Sequence, residues 1–116
     1  MDCTADGGRK GLCPSTVVTV AGLVEYGEDA VVSRTVVDQP TGTVTVFAFA
    51  AGQRLSEHSA PFDALVQVVD GSGVFTIGGT EHRVAAGELI IMPADIPHAV
   101  DARERFKMVL TMIKGG

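Results

Sequence analysis

Three histidines, His58, His82 and His98, are the side chains of this chain that could exchange a proton near neutral pH or hold a transition metal. His58 ends the run Gly52-Gln-Arg-Leu-Ser-Glu57 and leads into Ser59-Ala-Pro-Phe-Asp63. His98 follows Gly87-Glu-Leu-Ile-Ile-Met-Pro93-Ala-Asp-Ile-Pro97. Both stand where a strand pattern meets a turn, and a rigid backbone there holds an imidazole well enough to serve as ligand or general base. His82 lies in mid-strand between Glu81 and Arg83 and reads as a surface residue.

Other chemistries find less support. Ser56 and Ser59 flank His58, but no G-x-S-x-G turn accompanies them. The two cysteines, Cys3 and Cys13, sit in the polar leader MDCTADGGRKGLCP, outside any common zinc spacing, and a disulfide between them stays open. Asp63, Asp95 and Asp101 occupy turn-like settings where solvated carboxylates are ordinary. No glycine-rich loop precedes a helix, which disfavours nucleotide binding by that route.

The elements that must position the histidines are strands. From Val17 to Ile113 two-residue alternation and β-branched clusters recur, and no stretch of ten residues keeps a helical apolar period. The spacing predicts strands at 17–24, 30–37, 43–50, 54–58, 64–70, 73–78, 81–85, 88–92, 97–101 and 106–113. Turns are expected at Gln39-Pro40-Thr41-Gly42, at Gly78-Gly79 and Ala86-Gly87, and as a hairpin at Asp70-Gly71-Ser72-Gly73. The fold class is all-β, a sandwich or barrel. At 116 residues one core is expected: a flexible leader over 1–15 and a single domain over 16–116.

Two strands are apolar on both faces. Phe106, Met108, Leu110 and Met112 oppose Lys107, Val109, Thr111 and Ile113, and Thr45, Phe47 and Phe49 oppose Val44, Val46, Ala48 and Ala50. One face would line a lumen and the other needs a second sheet or a second subunit, so a homodimer is expected. A formal net charge of -5 with scattered basic residues excludes a row of phosphates or an anionic membrane as partner. Arg9 and Lys10 have no apolar stretch after them before Pro14, so no secretory signal is read and a cytoplasmic location is expected.

The two histidine segments resemble the paired motifs of the cupin family, G-x5-H-x-H-x3-E-x6-G and G-x5-P-x-G-x2-H. Gly52, His58 and Gly71 match the first, and Gly87, Pro93 and His98 the second, over roughly residues 30–114. The resemblance is to small single-domain members, RmlC-like jelly rolls, and implies a double-stranded β-helix. It also implies a lumen site in which three histidines and a glutamate hold iron, manganese, zinc or nickel. Here Ala60 stands at the second histidine, Ala64 at the glutamate and Asp95 at the second-motif glycine. His58 and His98 are the metal-ligand candidates that remain, with Asp63 as a third if a one-residue bulge turns it inward; strict alternation turns it out. Glu57 and Gln67 face the same restriction. Phe62 is a candidate lid and Met92 a pocket wall, while Met108 and Met112 read as core.

Three functions follow as expectations. The first is a small-molecule binder using His58, His98, Phe62 and Met92, without a catalytic motif. The second is a metal-dependent enzyme, a dioxygenase, isomerase or decarboxylase, using His58, His98 and a carboxylate. The third is a structural or regulatory dimer whose barrel is a scaffold.

Overall fold

The computed structural model describes residues 11–115. Eight strands follow in order: β1 Val31–Gln39, β2 Gly42–Phe49, β3 Arg54–His58, β4 Ala64–Ile77, β5 Thr80–Ala85, β6 Leu89–Met92, β7 His98–Asp101 and β8 Phe106–Ile113. All pairings among them are antiparallel. The hydrogen-bonded path runs β1-β2-β8-β4-β7-β3, with β5 and β6 also on β4. This is the expected all-β jelly-roll barrel.

The expected hairpin at Asp70-Gly71-Ser72-Gly73 does not form, and the two strands expected at 64–70 and 73–78 are one. β4 runs unbroken through 14 residues and changes partners on the way. Its first half pairs with β8 and β6, and its second half with β5 and β7. Gly71, at φ +67, supplies the left-handed bend that carries the strand from one sheet to the other. Gly-Gly at 78–79, both at positive φ, does make the expected tight hairpin between β4 and β5.

Alternation sorts the faces as expected. Phe49, Phe75, Phe106 and Met108 are fully buried in the lumen core. Phe49 stacks on Phe106 at 4.7 Å between centroids and Phe75 meets Phe106 edge-on at 5.9 Å, so the floor of the barrel is a closed aromatic plug. Gly73 makes room for it, since a Cβ there would lie 2.7 Å from Phe106 Cζ.

The strand expected at 17–24 is absent. Val20–Gly22 is a 3-10 turn, and its β-branched neighbours find no ladder. This segment instead straps the outer face of the β1-β2-β8 sheet, where Val24 buries against Val46 and Ala48. Lys107 Nζ donates to the Ala21 carbonyl at 2.6 Å, and the Tyr26 hydroxyl donates to the Asp70 carboxylate. Burial first, and Asp70 second, push the Tyr26 phenol far above its ordinary pKa, so the anchor stays protonated. Of the leader expected over 1–15, residues 1–10 lie outside the described residues, and with them Cys3 and the open disulfide; Leu12 N–H donates to the Val36 carbonyl at 2.9 Å.

Candidate functional site

His58 ends β3 and His98 opens β7, and the antiparallel pairing of these strands sets the two residues opposite each other. A register shift between Leu55 and His58 absorbs the offset. The loops behind them are stapled together: Asp95 N–H donates to the Ala60 carbonyl at 2.7 Å and Ala94 N–H to Asp63 Oδ1 at 2.9 Å. Asp95 has φ 64, so the family's glycine position is a left-handed one that aspartate also tolerates, and its replacement leaves the loop intact.

The rings meet edge to face, with 4.4 Å between centroids, and their Nε2 atoms lie 3.2 Å apart. Each Nδ1 is held by a carbonyl two residues back: His58 on Ser56 at 2.8 Å and His98 on Ile96 at 3.1 Å. Carbonyl oxygens accept, so each Nδ1 carries the proton. That leaves two Nε2 lone pairs facing one another. Three contacts need three N–H protons and two neutral imidazoles supply two. Two neutral rings are therefore one donor short. An extra proton would complete it, yet His98 is buried (4 % exposed), and burial pulls its pKa below the ordinary histidine value. The Ile96 carbonyl opposes that shift and His58 reinforces it.

A second deficit lies in the same lumen. Thr43, on β2, pairs with Met112 on β8, in the inward-facing set with Phe47 and Phe49. Its Oγ1 is buried without a hydrogen-bond partner. Sequence reading missed this residue, because a threonine on a strand is ordinary and only packing shows that its hydroxyl is stranded.

The remaining candidates divide. Met92 is buried, paired with Ala64 across β6 and β4, and forms lumen wall. Phe62 is half-buried at the rim with Lys114 Nζ 5.9 Å from its ring centroid. Asp63 is exposed and its carboxylate holds the Ala94 amide, so the bulge that would make it a third metal ligand is not formed. Glu57 and Gln67 are exposed, and so is His82, on β5 opposite Phe75. Among the described residues no three His, Cys, Asp or Glu side chains gather as a metal set. Structural zinc takes four protein ligands, catalytic zinc three, and non-haem iron two histidines with a carboxylate. Two nitrogens with Ala60 and Ala64 at the other positions do not fit a resident iron, manganese, zinc or nickel ion.

No described helix is long and apolar enough to cross a membrane. No match is found among curated proteins. The chain is similar to a conserved Streptococcus pyogenes protein of unknown function, at 36% identity and TM-score 0.87 over 93% of this chain and 95% of that one. It is similar to a Cupin 2 conserved barrel domain protein from Leptotrichia buccalis, at 44% identity and TM-score 0.79 over 81% of this chain and 46% of that one. A cupin superfamily protein from Desulfitobacterium hafniense matches at 26% identity and TM-score 0.83 over 90% and 96%. The model of the Cupin domain matches residues 45–114, the span from β2 to the end of β8 that holds both histidines, and the chain belongs to that cupin-domain family.

Proposed function

We propose that this protein binds a small molecule at the barrel mouth, with an O–H or N–H donor of the ligand set beside the facing Nε2 atoms of His58 and His98 and donating to them. The missing donor carries the reading: two carbonyl-held imidazoles point bare acceptors at one spot 3.2 Å across. A buried acceptor left unpaired costs about 1–3 kcal/mol, and a ligand hydroxyl or ammonium would recover it. Thr43 Oγ1 offers a second polar contact in a lumen otherwise walled by Met92, Ala64 and their apolar neighbours. The reading is one of binding rather than turnover, because the imidazoles lean on backbone carbonyls instead of a carboxylate that would drive a general-base cycle.

Nitrogen-detected NMR of the histidine rings tests this directly. At pH 7.5 both His58 and His98 are expected as the Nδ1–H tautomer. Titration with small aliphatic and aromatic alcohols is expected to move their Nε2 resonances while His82 stays still. Nε2–H tautomers, or shifts as large at His82, would sink the proposal.

A further inference from the structure

The number of open acceptors at the mouth discriminates among donors. With each Nδ1 engaged by a backbone carbonyl, two lone pairs remain, one on each Nε2, and they lie 3.2 Å apart. A hydroxyl has one proton to give and satisfies one of them. A primary ammonium has three. Its nitrogen, set at an ordinary hydrogen-bond length of about 2.9 Å from both Nε2 atoms, makes a nearly equilateral triangle with them, and two of its N–H groups meet both lone pairs. The approach is open from the His58 side, because His58 is exposed although His98 is buried.

Charge around the rings selects in the same direction. Residues 56–63 and 93–98, the two segments that carry the histidines, hold Glu57, Asp63 and Asp95, all exposed, and contain no lysine or arginine. The Asp95 amide on the Ala60 carbonyl at 2.7 Å and the Ala94 amide on Asp63 Oδ1 at 2.9 Å tie one segment to the other, so the negative field belongs to the mouth as a unit. The rim also shows where an ammonium can rest. Lys114 Nζ lies 5.9 Å from the centroid of the Phe62 ring, within cation–π range.

We infer that the ligand of this site is a protonated primary amine with a short apolar body, its ammonium donating to Nε2 of both His58 and His98. This rests on the binding reading above and narrows it to one chemical class. Met92 and Ala64, buried side by side across β6 and β4, offer wall to the apolar body. An alkylammonium, like that of lysine, keeps its proton to about pH 10.4, so at pH 7.5 the charged donor and neutral imidazoles coexist.

Titrations followed on the histidine ring nitrogens at pH 7.5, with n-butylamine, n-butanol and butyltrimethylammonium from stocks adjusted to that pH, separate donor count from charge; His82 is the internal control. Butylamine is expected to bind about tenfold more tightly than butanol, which leaves one acceptor bare, and butyltrimethylammonium, charged but without an N–H, more weakly than butylamine by at least as much. His58→Ala, at an exposed position, is expected to shrink the amine-to-alcohol ratio to about twofold. Lys114→Gln removes the competing ammonium from Phe62 and is expected to tighten butylamine about twofold while butanol stays unchanged. Equal affinities for butylamine and butanol would overturn the inference and leave the binding reading standing. Butyltrimethylammonium as tight as butylamine, or a full tenfold ratio in folded His58→Ala, would overturn it as well, since charge alone would then explain the preference. If neither butylamine nor butanol moves the His58 and His98 resonances, the binding reading fails and the inference falls with it.

Discussion

The floor and the mouth of this barrel are built from the same strands and have opposite characters. β4 gives Gly73 and Phe75 to the floor and Ala64 to the mouth; β7 gives Val100 to the core and His98 to the site. At the floor three phenylalanine rings fill the space between the sheets and the surrounding core is apolar. Toward the mouth the side chains shrink to alanine, two imidazoles oppose bare acceptors, and the lumen holds a threonine hydroxyl without a partner. The floor is where packing stabilises the fold. The mouth is where polar groups wait for something outside the chain.

The largest break in that contrast comes from the floor. Phe106→Ala removes a ring that stacks on Phe49 and meets Phe75, and is expected to cost about 3–5 kcal/mol in urea unfolding. Gly73→Ala, which drives a methyl toward the same ring at 2.7 Å, is expected to cost about 1–3 kcal/mol by overpacking. His58→Ala at the mouth, measured alongside, should cost less than either, because the residue is exposed and its loss removes an opposed acceptor.

The pH dependence of stability isolates the mouth. Burial holds His98 below its ordinary 6.5 in the folded chain, so between that value and the folded one the unfolded chain binds more protons. Stability is therefore complete above about pH 6.5 and falls as pH drops through the folded value, with a limiting slope of about 1.4 kcal/mol per pH unit for one proton. Urea midpoints from pH 8 to 5 measure it. Most of the slope between pH 6.5 and the folded value is expected to vanish in His98→Gln, and a slope unchanged in that variant would show that His98 is not the group responsible.

Much of this was legible before any coordinates. Period-two alternation placed Phe106 and Met108 inside, and the spacing of Gly52, His58, Gly71, Gly87, Pro93 and His98 marked the family and brought its two histidines to one place. What escaped depends on long-range partners. Asp70-Gly71-Ser72-Gly73 has hairpin composition, yet Gly71 pairs with Phe106 on β8 and Ser72 with Ala85 on β5, so the strand continues. Val17–Val20 has strand composition but no ladder, and lies outside as a strap. Asp63 is a carboxylate next to a family ligand position, and only its bond to Ala94 shows that it braces a loop. The shortage of a proton between the histidines is a matter of distances, which spacing in a sequence does not carry.

The smallest expected effect is the sharpest on the comparison. Thr43→Val keeps the branched shape and deletes a buried hydroxyl that has no partner. At a satisfied position this exchange destabilises; at an orphaned one it removes a desolvation penalty, and a gain of about 1 kcal/mol is expected in the ligand-free protein. The same variant should weaken any alcohol that donates to the His58 and His98 pair while contacting Thr43, so stability and affinity move in opposite directions. Thermal unfolding and the NMR titration together measure both. A loss of stability in Thr43→Val would mean that solvent already satisfies the hydroxyl in the free protein, leaving the opposed histidines to carry the contrast between mouth and floor alone.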